Sequence, residues 1–229
     1  MHGLAAELLI NAVREEKPIV LVAGQDFAVP PAPSNVLTLF KKRLGHSDEQ
    51  FSWRQVLDHQ INDEDKEFLA ERFDRMAPNS NALYAIELPW SAVFTSSIDP
   101  RFASRFSTRG RQPEAVLSRN HYARVSRSKS RPPVYHLFGR LSDVAPEARI
   151  PSSKIELALR KQTHASELLN RVPDTATAHG LVIIDGVDVH GDWLEIDDLF
   201  AALLSQQGMR VLWFQAPQTL STDLSLAMQ

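Results

Sequence analysis

The sequence contains no cysteine among its 229 residues. This absence excludes a disulfide framework, a thiolate metal site and a cysteine nucleophile. The chain also lacks any run that approaches the roughly 18 consecutive apolar residues of a membrane-spanning helix. A strong excess of charge of one sign is missing too, because the formal net charge is −3, which argues against a surface that attracts nucleic acid everywhere. Together these absences favour a cytoplasmic protein that does not enter a membrane.

The N-terminus lacks a basic leader ahead of its apolar residues, so it does not resemble a secretory signal. Residues 1–17 instead place apolar side chains at helical spacing and end in charged residues before Pro18. This pattern predicts an amphipathic helix.

Short apolar runs alternate with helical patterns along the rest of the chain. Helices are indicated between the runs, and the 43% hydrophobic content is enough for one sizeable core. The alternation predicts an α/β fold with a mostly parallel sheet of Rossmann type and helices on both faces. The five predicted strands lie near residues 18–23, 91–95, 133–138, 181–185 and 210–214.

These elements fit one domain over residues 1–214. Residues of about 46–87 are predicted to be a helical insertion, and residues of about 101–132 a basic, loop-rich segment. Residues 215–229 carry no strong pattern and are interpreted as a tail or as a linker to a further domain.

The stretch LPWSAVFTSSIDPRF, residues 88–102, is the first candidate for a site. A strand-like apolar run leads directly into the hydroxyl cluster Thr95, Ser96 and Ser97, followed by the acid Asp99. Ligands of open α/β sheets bind where buried strands end. A structural alternative is that the hydroxyl groups only cap the next helix.

This stretch resembles the motif of sirtuin-like NAD-consuming domains, in which a strand often preceded by Leu-Pro-Trp ends in Thr-Thr-Asn-Tyr-Asp. The residues that keep the pattern are Leu88, Pro89, Trp90, Thr95 and Asp99. Ser97 stands where the family has its catalytic Asn, and a serine hydroxyl is too short to replace the carboxamide.

The family's general base is a His followed by Gly at the end of the next strand, and here that pair is Phe138-Gly139. His136 lies two residues earlier. We expect it to be half-buried on the same face of the strand and about 6.6 Å further back.

The family's glycine-rich phosphate loop is also altered. Gln25 and Phe27 add bulk, Asp26 adds a negative charge, and Pro31 lacks an N–H donor. We therefore expect no appreciable NAD binding. The vestigial cofactor-binding positions are Gly24, Gln25, Phe27, Thr95 and Gly186.

The acids after the fourth predicted strand, with His190, suggest a metal site only weakly, because such residues recur in polar strand-end loops. We predict no metal site from them. The three acids are Asp185, Asp188 and Asp192.

The basic segment offers a different kind of site. Its arginines and lysines could follow a phosphate backbone, meet an acidic surface on a protein partner or sister subunit, or simply be solvated. The candidate residues are Arg101, Arg105, Arg109, Arg111, Arg124, Arg127, Lys129 and Arg131.

The resemblance implies a catalytically degenerate sirtuin-like module that assembles or senses within a bacterial anti-phage defence protein. It also implies a protein partner or a homo-oligomer, and no cofactor. The first alternative is an NAD hydrolase whose rearranged site uses Ser97, Asp99 and His136. The second is a nucleic-acid-binding module that uses residues 101–132.

Overall fold

The computed structural model has a single sheet in the part of the chain that it describes. The described residues are 2–27, 29, 35–47, 51–77, 87–117, 128, 130–143, 145–146, 148–177, 179–205 and 208–214. The sheet has six strands, and all of its strand pairs are parallel. The predicted Rossmann-like α/β fold is therefore confirmed.

All five predicted strands form, and the structure adds one short strand that the sequence did not indicate. The strands are β1 Ile19–Ala23, β2 Ala92–Thr95, β3 Glu114–Val116, β4 Pro133–His136, β5 Leu181–Asp185 and β6 Arg210–Trp213. Their order in the sheet is β3-β4-β2-β1-β5-β6. The missed strand, β3, lies at the edge, has three residues, and carries no apolar run for a pattern to detect.

The helices connect and cover these strands. They are α1 His2–Arg14, α2 Val36–Arg43, α3 Trp53–Val56, α4 Asp63–Arg75, α5 Phe102–Arg105, α6 Lys154–Arg160, α7 Ser166–Leu169, α8 Arg171–Ala176 and α9 Ile196–Leu203. A 3₁₀ helix, Leu57–His59, follows α3, and a π-helical turn, Lys161–Ala165, joins α6 to α7. The helix predicted from Ser153 to about Leu169 thus forms with a π turn inside it, whereas α8 was not predicted.

The predicted helical insertion, about 46–87, contains α3, the 3₁₀ helix and α4. Residues 48–50 and 78–86 of that range lie outside the described residues. The basic segment, about 101–132, contains the short elements α5 and β3, and the rest of its described residues lie in turns, isolated bridges and irregular structure.

The two faces of the sheet are covered by different helices. Val20, Val22 and Phe94 pack with side chains of α2 to α4 and of α6 to α9. Leu21 and Val93 point to the other face and pack with α1 and α5. Because helices cover both faces of the sheet, a site on the sheet can form only at the ends of the strands.

None of the described helices is both long enough and apolar enough to cross a membrane.

Candidate functional site

The order of the strands creates a switch point between β1 and β5. The chain builds from β1 through β2 and β4 on one side, and it then crosses to add β5 and β6 on the other. In open α/β sheets, a crevice for ligands forms outside the carboxyl ends of the strands at such a point.

In this chain the two loops at the switch point are bonded to each other. The backbone N–H of Gly24 donates to the carbonyl of Asp185 at 2.8 Å, and that of Asp26 donates to the carbonyl of Gly186 at 3.1 Å. A Cβ atom at Gly24 would lie 2.0 Å from the Gly186 carbonyl oxygen. Only glycine permits this approach, which holds the two loops in backbone contact at the switch point.

A carboxylate of the protein itself binds the loop after β1. Oδ2 of Asp192 accepts the backbone N–H of Gln25 at 2.7 Å, and Oδ1 accepts that of Leu194 at 2.8 Å. The N–H of Phe27 donates to the carbonyl of Gly24 at 3.2 Å. The successive N–H groups of Gln25, Asp26 and Phe27, which could otherwise bind a phosphate, therefore all have partners within the protein.

Asp192 is completely buried, and its burial raises the pKa of the carboxyl to about 7. The N–H groups of Gln25 and Leu194 oppose that rise. The ionised Asp192 carboxylate thus occupies the position beside the N–H of Gln25 that a bound anion would occupy. The Ser96 hydroxyl lies beside this carboxylate, although it makes no well-directed hydrogen bond in the described part of the chain.

Two of the positions that the sequence predicted to be vestigial cofactor sites, Gln25 and Phe27, are packed into the protein. Gln25 is fully buried, and its Oε1 accepts the N–H of Ile98 at 3.3 Å. The ring of Phe27 lies 5.8 Å from that of Phe102 and stacks on that of Phe106 at 5.9 Å. Pro31 lies outside the described residues.

The hydroxyl cluster after β2 is used in local turns. Oγ1 of Thr95 accepts the N–H of Ser97 at 2.9 Å, and Oγ of Ser97 accepts the N–H of Asp99 at 3.3 Å. These bonds shape the chain just before α5. They do not cap α5, however, because its N-cap residue is Arg101 and no side chain makes a cap bond there, so the structural alternative is wrong for these hydroxyl groups.

Asp99 forms an ion pair with Arg105 instead of facing a ligand. Its Oδ2 accepts Nε of Arg105 at 2.6 Å, and the two side chains are 3% and 12% exposed. Burial raises the pKa of Asp99, and the Arg105 guanidinium partly opposes this rise.

His136 is fully buried, not half-buried as predicted. Its Nδ1 lies 3.3 Å from the carbonyl oxygen of Ser97, and because a carbonyl can only accept, Nδ1 carries the proton. Burial lowers the pKa of His136 to about 4, so the ring is neutral at physiological pH. Nε2 then presents a lone pair, for which the described residues provide no donor.

The expectation that His136 and position 138 share a face is wrong. β4 ends at His136, and the chain turns at residues 137 and 138. The ring of His136 lies 6.1 Å from that of Phe102, whereas Phe138 packs edge-on against Trp193 at 6.0 Å in the cluster on the opposite face. Phe138 also lines a cleft of about 380 Å³ beside the π turn and α9.

Ser97, Asp99 and His136, the residues of the proposed rearranged site, are thus close together. Each of the three residues, taken as a whole, is 2% exposed or less. A cleft of about 860 Å³ lies at the opposite ends of the strands, where Pro18 and Ser91 precede β1 and β2 and Pro133 begins β4.

Several candidate arginines have partners inside the protein. Arg101 pairs with Asp74 at 2.8 Å, and Nη1 of Arg111 donates to the carbonyl of Leu88. Arg109 and Arg131 are exposed. The remaining candidates, Arg124, Arg127 and Lys129, lie outside the described residues.

The acids after β5 do not converge. Oδ1 of Asp188 accepts the N–H of His190 at 3.0 Å, whereas Asp192 turns into the protein. Across the described residues, no group of three or more histidine, aspartate or glutamate side chains could hold a metal ion.

No protein-family model and no curated protein matches this chain.

Proposed function

We propose that this protein is a catalytically degenerate, sirtuin-like module that serves in assembly or sensing rather than in NAD turnover. A bacterial anti-phage defence protein of the cytoplasm is the setting that the resemblance of its motif suggests. The observation that carries the proposal is the contact between the buried Asp192 carboxylate and the N–H of Gln25 at 2.7 Å. A pyrophosphate would have to displace this carboxylate and then share the loop with a second acid, Asp26.

The backbone contact at the switch point supports the same proposal. Gly24 and Gly186 bring two loops into backbone contact, and Phe27 fills the adjoining volume with an aromatic cluster. A cofactor would need these contacts to separate, and every separated polar group would lose a partner. Leaving a buried polar group without a partner costs about 1–3 kcal/mol.

Exposed apolar side chains support a role in assembly. Leu4, Ile10 and Val13 of α1 are 66%, 46% and 41% exposed, and Ile155 and Leu159 of α6 are 82% and 62% exposed. Ile155 and Leu159 are four residues apart and so lie on one side of their helix. Such side chains suit a protein partner or a second copy of the chain.

The first test is calorimetry with NAD at millimolar concentration, together with an assay for nicotinamide release. We expect neither binding nor turnover. The pair Ser97→Asn and Phe138→His restores the family's catalytic residue types, and we expect it to remain inactive because Asp192 and Phe27 still fill the cofactor's place. Micromolar binding by the unaltered protein, or rescue by the two substitutions alone, would contradict the proposal.

The NAD-hydrolase alternative has one observation in its favour, the unpaired lone pair on Nε2 of His136, a residue whose Nδ1 lies 3.3 Å from the Ser97 carbonyl oxygen. A general base needs such a nitrogen. If the protein cleaves NAD and His136→Ala abolishes the cleavage, this alternative replaces the degenerate module.

The nucleic-acid alternative rests on the exposed Arg109 and Arg131. Binding to random-sequence DNA or RNA that weakens steeply with salt would support it. The double variant Arg109→Ala and Arg131→Ala should then bind more weakly and with a smaller salt dependence.

A further inference from the structure

Two histidines from separate turns face each other beside the helical insertion. His46 follows Gly45 at the end of α2, and His59 is the last residue of the 3₁₀ helix. Their Nε2 atoms are 2.5 Å apart, and their rings meet edge to face with centroids 4.3 Å apart. His46 is half-buried and His59 is exposed.

At this distance the two nitrogens need a proton or a metal ion between them. Two lone pairs at this distance repel, and two N–H groups collide. The arrangement is therefore satisfied either by one shared proton or by an ion that accepts both lone pairs. Neutral imidazole nitrogens are common ligands of zinc, copper and nickel.

The geometry needs only a small adjustment to admit such an ion. A metal–nitrogen bond of about 2.0–2.1 Å at a tetrahedral angle separates two ligand nitrogens by roughly 3.3 Å. The two Nε2 atoms must therefore move apart by about 0.8 Å. Because the side chain of His59 is exposed, rotation of its ring can provide this movement without disturbing the core.

The backbone beside each histidine has a left-handed conformation. Gly45, which precedes His46, has φ of 71°, and Gln60, which follows His59, has φ of 46°. This conformation is uncommon for a residue other than glycine. Its energetic cost means that it persists only where the surrounding structure fixes the backbone. The turn at Gln60 thus holds His59 toward His46, while the ring of Phe51 lies 5.3 Å from that of His46.

We propose that His46 and His59 form a binding site for one divalent transition-metal ion. Since the described residues offer no third ligand in a cluster, water completes the coordination shell and leaves positions open, unlike a closed structural zinc site. The ion cross-links the end of α2 to the segment that follows α3. The affinity order for such nitrogen ligands places Cu²⁺ above Zn²⁺ and Ni²⁺.

Calorimetric titration of the tag-free, full-length chain with Cu²⁺, Ni²⁺ and Zn²⁺ tests this site. Metal ligands must be deprotonated, so the titration is made at about pH 8. We expect one ion per chain, and an affinity that falls by roughly tenfold or more in His46→Ala and in His59→Ala. His190→Ala, which removes an exposed histidine elsewhere, should bind as the unaltered protein does.

A second measurement separates loss of a ligand from loss of the fold. The electron paramagnetic resonance spectrum of the Cu²⁺ complex should contain hyperfine structure from two imidazole nitrogens, reduced to one in either single variant. Zn²⁺ should raise the melting temperature of the unaltered protein and of His190→Ala, but not of the double variant His46→Ala, His59→Ala. Equal binding by the double variant, or the absence of one-to-one binding in the unaltered chain, would overturn the proposal.

Discussion

Among single residues, two titratable groups, one in a loop after a strand and one at the end of a strand, are fully buried and have shifted pKa values. Asp192 and His136 are both fully buried, and burial moves their pKa values in opposite directions, to about 7 and about 4. The sequence identified His136 as a candidate because of its position near a strand end. It could not identify the bond of Asp192 to Gln25, because that contact joins residues 167 positions apart.

His136 should make stability depend on pH. Its pKa is lowered from 6.5 to about 4 in the folded protein, so below pH 6.5 the unfolded chain binds a proton that the folded chain does not. Relative to the non-titrating variant His136→Asn, the unaltered protein should therefore lose free energy of unfolding as the pH falls from about 6.5 to about 4, by on the order of 3 kcal/mol. Urea unfolding at a series of pH values measures this difference.

The comparison with a variant is necessary because Asp192 acts in the opposite sense. Its raised pKa stabilises the protein toward low pH and makes it less stable as the pH rises from about 4 to about 7. A second replacement, His136→Gln, should shift the absolute stability by a different amount but give the same pH dependence. A difference that stays flat across this range would mean that the folded protein protonates His136 as readily as the unfolded chain.

Among the helices and strands, residue patterns predicted an element correctly where its apolar run was long enough to show a helical or strand period. Asn35 caps α2, because its side chain accepts the N–H of Leu37 at 2.7 Å. β3 was missed because Glu114–Val116 is too short and too polar to show a period. The π turn of Lys161–Ala165 was missed because it has no sequence signal distinct from that of an α-helix.

The N-terminal cap of α4 should contribute measurably to stability. Asn62 accepts the N–H of Asp65 at 2.8 Å, and Asp65 returns a bond to the N–H of Asn62 while also pairing with Arg43 of α2. We expect Asn62→Ala to lower the free energy of unfolding by about 1 kcal/mol, because the helix loses the partner of a terminal N–H group. Denaturant unfolding measures the change.

Two matched variants control this experiment. Asn62→Asp keeps an acceptor at the cap and should retain most of the stability. Glu67→Ala changes an exposed residue within the same helix and should alter stability by less than about 0.5 kcal/mol. A loss in Glu67→Ala equal to that in Asn62→Ala would mean that the cap makes no special contribution.

In the molecule as a whole, the sequence predicted the class of fold, but it did not predict that the loops after β1 and β5 are in backbone contact. The alternation of strands and helices is a local property, which residue patterns report. The backbone contact depends on β1 lying beside β5, and hence on a crossover that brings Gly24 against Gly186. The same crossover brings Asp192 to the loop after β1.

The backbone contact between Gly24 and Gly186 can be tested by adding a methyl group at position 24. A methyl group at position 24 would meet the Gly186 carbonyl oxygen at 2.0 Å and the Val187 Cα at 2.5 Å, and neither backbone group can move without separating β1 from β5. Gly24→Ala should therefore lower the free energy of unfolding by roughly 3 kcal/mol. Gly110→Ala is the matched control, because a Cβ there meets nothing within 4 Å, and it should change stability by less than about 0.5 kcal/mol. If both variants unfold at the same denaturant concentration as the unaltered protein, the two loops are not held in contact in solution.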